Sequence, residues 1–428
     1  MQAINSVAKM KSDSIPIDLF WNTGNEKESK MHRIHAYPAK FPAFITTKAL
    51  EFAKTEGISV DWVADIFCGC GTVAYEAKRN KINFWGCDVN PVATMIARTK
   101  SQKYKPKKLK DYHESILKEY KRLAKAQFSY EDANDRLKYW YENNQFKELS
   151  RLKKAITGAV PVRSCYRLFF ICAFSNILKP ASRWLTKSIK PQVDPKKIPA
   201  DVLSAFEEQC RFMMAANDES DATGNSQTNI VTANFLDGSV KHPTVDIIIT
   251  SPPYVTSYEY SDLHQLSALW LSNADDYRKL RDGSIGSDYH AYNFEKEIKR
   301  LNTTGTNIVF RLLNQDKAKA RSVAKYFLDM QQVAQSCLKM LSDKGMALFV
   351  VGNTEYKGVR IDNAKHLMES LLASGFKEVC VTKRKITGKT LTPYRDEVGR
   401  FTTDKNSRKV YGEEFILIGR KECQNKDS

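Results

Sequence analysis

Short apolar runs closed by glycine, proline or aspartate alternate along this chain with stretches that carry an apolar residue every three or four positions. The run Asp61-Trp62-Val63-Ala64-Asp65-Ile66-Phe67 predicts a buried strand. The turn Cys68-Gly69-Cys70-Gly71 follows it, and Thr72 to Arg79 has helical spacing. Asn83-Phe84-Trp85-Gly86-Cys87 predicts a second strand, ending at Asp88. Strand, helix and strand in this order form a βαβ unit, the mark of a parallel sheet with helices on its faces. Upstream, Met31 to Ala53 predicts an extended, proline-containing segment leading into a helix. Residues 1–30 are polar and punctuated, and predict an arm.

After Lys100 the spacing turns helical for more than a hundred residues. Arg136 to Ile156 and Cys165 to Lys179 are predicted helices within this stretch. Strand patterning returns at Asn229 to Ala233 and at Val245 to Ile249. Helices are expected in Asp262 to Ser272 and Ala320 to Leu341, then a strand at Gly345 to Val351 and a helix at Asn363 to Ser374. Glu378 to Lys383 and Glu414 to Ile418 complete the set as two strands joined by a long loop. The simplest assembly is one α/β sheet domain with a helical insertion between its second strand and the later ones.

Composition narrows the class of partner. The 428 residues are 42% hydrophobic and 27% charged, and no apolar run approaches the roughly 20 residues of a membrane span. The first twenty residues lack the apolar centre of a signal peptide. Nine cysteines without paired spacing argue against a disulfide framework, so a cytoplasmic protein with reduced thiols is expected. The net charge of +18 suits a polyanionic partner. The excess gathers in Arg98 to Lys110, which has no acidic residue, and in Lys187 to Lys197. The first of these has too few large apolar residues for a membrane-binding helix, which leaves nucleic acid.

Chemistry concentrates at two strand ends. The glycines of ADIFCGCGTVAYEA stand where a strand turns sharply into a helix, which permits close approach of backbone to a ligand at unpaired N–H groups. Asp88 ends the next strand, about 20 residues on, the spacing at which a carboxylate accepts hydrogen bonds from ribose hydroxyls. A nucleoside-containing cofactor is implied. Cys68 and Cys70 have no second pair to complete a metal site, and no metal is expected. The second strand end is TSPPYVTSYEY, Thr250 to Tyr260, at the mouth of the run Val245-Asp246-Ile247-Ile248-Ile249. Proline donates no ladder hydrogen bond, so the strand stops there in a stiff turn with an aromatic ring behind it.

These residues carry a family resemblance. DIFCGCGT resembles the FxGxG motif of amino DNA methyltransferases, SPPY resembles their catalytic tetrapeptide in its cytosine-N4 version, and HAYPAKFP resembles their cofactor-closing motif. VTSYEYSDLHQLSALWL and VVGNTEYKGVRIDNAKHLMESLLASGF resemble later parts of such enzymes. The motif order resembles the arrangement in which target recognition lies between the two halves.

The resemblance implies a Rossmann-like class I methyltransferase sheet, mostly parallel with an antiparallel last strand. It implies S-adenosyl-L-methionine as cofactor, double-stranded DNA as partner, and transfer to the N4 amine of a flipped cytosine. It also implies a bacterial restriction-modification system with a separately acting endonuclease. Residues 1–102 are then the arm and cofactor-binding half, 103–228 the insertion and candidate target-recognition region, and 229–428 the catalytic half. The segment from Thr387 to Arg408 competes for target reading.

Carried over residue by residue, the cofactor set is Tyr37, Pro38, Phe41, Asp65, Phe67, Gly69, Gly71, Thr72, Asp88 and Asn234. Asn234 stands where the family often has an acidic residue, and Asp237 is the alternative alignment. Lys40 is a candidate neighbour of the cofactor carboxylate. The catalytic set is Ser251, Pro252, Pro253 and Tyr254. The Ser251 hydroxyl and a peptide carbonyl of Ser251 or Pro252 accept hydrogen bonds from the amine, the prolines stiffen the turn, and Tyr254 stacks on the base. Lys107 and Lys108 in the basic run, with Tyr258, Tyr260 and His264, form the DNA-contact set. Packing on the following helix is the alternative for Tyr260 and His264, and Trp140 and Phe146 are assigned to the core rather than to DNA wedges. Carbon-5 methylation is disfavoured because the chain has no Pro-Cys dipeptide. Adenine-N6 methylation and a non-catalytic DNA-binding protein on the same fold stay open.

Overall fold

Between Asp61 and Asp88 the backbone crosses from one strand to its parallel neighbour over a helix, as the hydrophobic pattern requires. The computed structural model describes residues 2–3, 12–24, 27–37, 40, 42–188, 190–255, 260–273, 276–287, 291–386, 394–395, 401–402, 404, 406, 408–409 and 412–422. The short β1 (Gln2–Ala3) precedes α1 (Phe44–Thr55), β2 (Trp62–Asp65), α2 (Thr72–Arg79), β3 (Asn83–Asp88) and α3 (Pro91–Lys100). Asn90 caps α3 by accepting from the N–H groups of Val92 and Ala93, with Pro91 at the first helical position. The insertion supplies α4 (Pro106–Arg122), α5 (Asp135–Trp140), α6 (Asn143–Ala159), α7 (Cys165–Ile177) and α8 (Val202–Glu219).

The chain returns to the sheet with β4 (Thr228–Thr232) and β5 (Val245–Thr250). Next come the short helices α9 (Tyr260–Leu263), α10 (Gln265–Trp270) and α11 (Phe294–Glu297), then α12 (Thr303–Leu313) and the long α13 (Lys317–Met340). Strand β6 (Leu341–Val351), the hairpin β7 (Thr354–Tyr356) and β8 (Val359–Ile361), α14 (Asn363–Ser374) and β9 (Glu378–Lys385) follow. Three two-residue strands, β10 (Tyr394–Arg395), β11 (Phe401–Thr402) and β12 (Arg408–Lys409), form a small separate sheet before β13 (Glu413–Arg420).

The main sheet has the order β1-β9-β13-β6-β5-β2-β3-β4. Strands β4, β3, β2, β5 and β6 are mutually parallel, and β13 inserts antiparallel between β6 and β9. This is the mostly parallel Rossmann-like sheet with an antiparallel last strand. Because β5 is covered on both faces, its residues are apolar almost without alternation. Ile247 and Ile249 meet Ile45, Val73 and Ala77 of α1 and α2, while Ile248 meets the opposite layer with Phe327 and Met330 of α13. Strand order reverses between β2 and β5. In an open parallel sheet that reversal opens a crevice at the carboxyl ends of the strands.

Three elements differ from the patterning. The helix expected over Arg136 to Ile156 breaks at Tyr141, whose backbone is extended with φ −126° and ψ 143°. The aromatic run Tyr139-Trp140-Tyr141 cannot place all its rings on one helix face. The break turns Tyr141 inward, where its hydroxyl donates to the Leu178 carbonyl. The helix expected over Asp262 to Ser272 is split at His264. Within the expected arm, residues 12–24 lie along the sheet edge, with Ile17 bridged to Lys383 and Trp21 buried.

The insertion has its own apolar centre, including Leu149, Leu152, Phe169, Phe170 and Phe206, and Leu269 and Trp270 of α10 join it. Trp140 stacks on Trp184 at 4.9 Å, and both it and Phe146 are interior. The helical layer is thereby fastened to the segment that follows SPPY. Among the described residues no helix is long and apolar enough to cross a membrane.

Candidate active site

The turn after β2 is built from two left-handed glycines, Gly69 at φ +46° and Gly71 at φ +75°. Gly71 caps α2, and a Cβ there would lie 2.6 Å from Ala97 Cβ and 2.7 Å from Ala97 Cα. Only glycine allows the start of α2 to pack this close against α3. A Cβ on Gly69 would stand 3.3 Å from the Tyr37 hydroxyl, so the upstream segment covers the turn.

Asp88, at the end of β3, accepts the Gly69 N–H at 2.9 Å on one oxygen and the Asn90 N–H at 2.8 Å on the other. Each oxygen keeps a further lone pair. Burial raises the Asp88 pKa, against these two hydrogen bonds. Asp65 is buried at the end of β2; its Oδ1 accepts from the Thr250 hydroxyl at 2.6 Å and the Phe67 N–H at 3.1 Å. Burial pushes its carboxyl up to about 7 in spite of those donors.

The third strand end is the SPPY turn after β5. The Ser251 hydroxyl donates to the Val350 carbonyl on β6 at 3.0 Å, which commits its proton and leaves the oxygen lone pairs as acceptors. Pro252 is buried and Pro253 lines the cavity. Tyr254 is half-buried, and its hydroxyl donates to Glu414 Oε1 at 3.0 Å.

One cavity joins these groups. Its lining includes Tyr37, Lys40, Asp65, Phe67, Gly69, Thr72, Asp88, Asn234, Ser251, Pro253 and Tyr254. A wall from Leu280 to Ser287 and residues Ser322 and Tyr326 of α13 close the far side. Lys40 Nζ donates to the His32 carbonyl at 2.8 Å. Asn234 lines the cavity with its Oδ1 accepting the Leu236 N–H, whereas Asp237 is exposed and accepts from Ser239. Of the two alignments, only Asn234 lies on the cavity.

Some expected residues fall elsewhere. His264, read as a DNA contact, is 4% exposed and stacks on Tyr37 at 5.0 Å. Burial lowers its pKa to about 3, so the ring is neutral and interior rather than a partner for phosphate. This corrects the expectation of a DNA-facing ring. Lys107 and Lys108 are exposed on the first turn of α4; Lys107 pairs with Asp111 at 3.3 Å. Pro38, Phe41 and Tyr258 lie outside the described residues, as does most of the Thr387 to Arg408 segment, and for Tyr260 only the backbone is described.

Other residues were not legible beforehand. Thr250, Val350, Glu414 and Arg384 hold the site's side chains from distant strands. Gln265 accepts from Arg136 Nε at 2.7 Å and Trp140 Nε1 at 3.0 Å, tying the insertion to α10. None carries a local sequence signal, because each acts through a partner far along the chain.

Comparison with known proteins bears on this cavity directly. Residues 2–99, which include the glycine turn and Asp88, match the family model described as DNA methylase (N6_N4_Mtase). The chain is 23% identical over 392 residues to the Type II methyltransferase M.MvaI of Kocuria varians, covering 84% of each protein. It is 22% identical over 398 residues to the Type II methyltransferase M.AvaI of a Nostoc species, covering 78% of this chain and 77% of the relative. A shorter stretch of 110 residues is 34% identical to the Type II methyltransferase M.MjaII of Methanocaldococcus jannaschii, over 25% of this chain and 20% of that one. Family match and long similarities agree with the gathering of the glycine turn, Asp88 and SPPY around one cavity: the chain resembles the DNA methylases over residues 2–99 and Type II methyltransferases over most of its length.

Proposed function

We propose that the protein transfers a methyl group from S-adenosylmethionine to the exocyclic N4 amine of a cytosine flipped out of double-stranded DNA. The observation that carries this reading is the commitment of the Ser251 proton to Val350, on the same cavity as the glycine turn and Asp88. That amine is a poor nucleophile while its lone pair is delocalised into the ring. Acceptors against its N–H bonds favour the pyramidal form. Ser251 Oγ offers such lone pairs, and the adjacent peptide carbonyls of the stiff proline turn offer more.

The cofactor fits the residues present. Asp88 keeps an acceptor on each oxygen for a pair of ribose hydroxyls, and the glycine turn exposes backbone at the start of α2. Asn234 offers an amide to the adenine. Bound S-adenosylmethionine supplies an already activated methyl group, so these side chains mainly orient the reactants and exclude water. Tyr254 gives the flipped base a stacking surface, which returns about 1–3 kcal/mol of the cost of unstacking. The exposed lysines of α4 suit the insertion to holding DNA, and the long similarity to Type II methyltransferases supports a role as the modification half of a restriction-modification system.

Unmodified genomic DNA incubated with the protein and a labelled methyl donor, then digested and resolved by nucleoside mass spectrometry, is expected to contain N4-methylcytosine. Ser251→Ala should retain affinity for the methyl donor and lose most turnover, because its acceptor acts on the amine during transfer. Label found only in N6-methyladenine would overturn the base assignment. Unchanged turnover in Ser251→Ala would remove Ser251 from the mechanism.

A further inference from the structure

Tyr254 is held by more than its turn. Its hydroxyl donates to Glu414 Oε1 at 3.0 Å, and Oε2 of the same carboxylate receives Arg384 Nε at 2.9 Å and Nη2 at 2.8 Å. Glu414 and Arg384 face each other as register partners on β13 and β9. The Arg384 side chain is only 3% exposed, and its guanidinium stands 5.7 Å from the Phe44 ring. The ring of Tyr254 also rests on Gly352, where a Cβ would lie 3.4 Å from Cζ and 3.6 Å from Cε2.

We infer that Glu414, backed by Arg384, is a positioning residue: it sets the plane of the Tyr254 ring in the cavity wall before a base arrives. The inference rests on the reading of Tyr254 as the stacking surface for the target base. Two features make the arrangement suited to this task. A carboxylate held by two N–H groups of a buried arginine is a fixed acceptor for the phenol hydroxyl. Both partners stand on strands of the main sheet, which do not have to move when DNA binds. The SPPY turn is thus pinned at both ends from neighbouring strands, Ser251 to Val350 on β6 and Tyr254 to Glu414 on β13.

A double-mutant cycle tests this. Methyl transfer to unmodified genomic DNA would be measured for the wild type, Glu414→Ala, Tyr254→Phe and the double variant, together with calorimetric affinity for S-adenosylhomocysteine and the circular dichroism of each. Tyr254→Phe and Glu414→Ala should each lower kcat by roughly three- to tenfold, the scale of one lost hydrogen bond, with cofactor affinity unchanged. The double variant should lose little beyond either single one, because both remove the same contact. Equal losses from Glu414→Ala in the tyrosine and phenylalanine backgrounds would overturn the inference and leave Glu414 a structural residue. Unchanged turnover in Tyr254→Phe would overturn it too, even where Glu414→Ala fails to fold. Tyr254→Ala separates the two levels: full activity there would sink the stacking role itself, whereas loss in Tyr254→Ala with none in Tyr254→Phe would sink only the anchoring.

Discussion

Asp65 shows what position at a strand end does to one residue. Its carboxyl is buried, and burial, aided by the nearby Asp88 charge, outweighs two hydrogen bonds to bring its pKa to about 7. An acid raised in this way binds more protons in the folded chain than in the unfolded one between the ordinary carboxylate value and 7. Its contribution to stability is therefore full at acid pH and declines as pH rises through that window. Asp65→Asn keeps an acceptor for Thr250 and removes the titration. Urea midpoints followed from pH 5 to 8 should fall for the wild type relative to this variant, by on the order of a few kcal/mol in stability across the window. A constant difference at every pH would mean that Asp65 is already ionised throughout. That Asp65 lies on a buried strand was legible in the sequence. Its partner Thr250 was not, because 185 residues separate them and only the pairing of β2 with β5 brings them together.

The glycine turn belongs to two elements at once. Its presence between β2 and α2 was legible because turn, helix start and left-handed glycine are coupled within a few residues. That Gly71 faces Ala97 on α3 was not. Gly71→Ala meets a double obstacle, a positive φ and a Cβ 2.6 Å from Ala97 Cβ. Left-handed strain and overpacking together should destabilise the protein by about 2–4 kcal/mol, read from the denaturation midpoint. A loss below roughly 1 kcal/mol, the scale of a glycine-to-alanine backbone effect alone, would show that the two helices separate freely. The break at Tyr141 teaches the converse. Helical spacing continued through the aromatic run, but burial of the Tyr141 ring with its hydroxyl on Leu178 mattered more than helical continuity.

The whole molecule carries +18, and the exposed lysines at the start of α4 are its most concentrated share on the insertion. Lys107→Glu combined with Lys108→Glu should weaken DNA binding and flatten the dependence of log K on log salt by about 0.9 for each lost phosphate contact. Filter-binding or fluorescence titrations at several salt concentrations measure this slope, and an unchanged slope would place these lysines away from DNA. The basic run from Arg98 to Lys110 was visible in the sequence; which faces the helices bury was not. The alternation of apolar runs by itself determined the βαβ unit, the sheet class, the glycine turn and the SPPY turn, because each is encoded by neighbours in the chain. Only the tertiary structure decided that β13 would enter between β6 and β9, that His264 would lie inside against Tyr37, and that Val350 and Glu414 would hold Ser251 and Tyr254 across 99 and 160 residues. The reason is physical: a strand or turn is chosen by local sterics and periodicity, whereas a buried polar side chain takes its partner from whichever strand the completed sheet sets beside it.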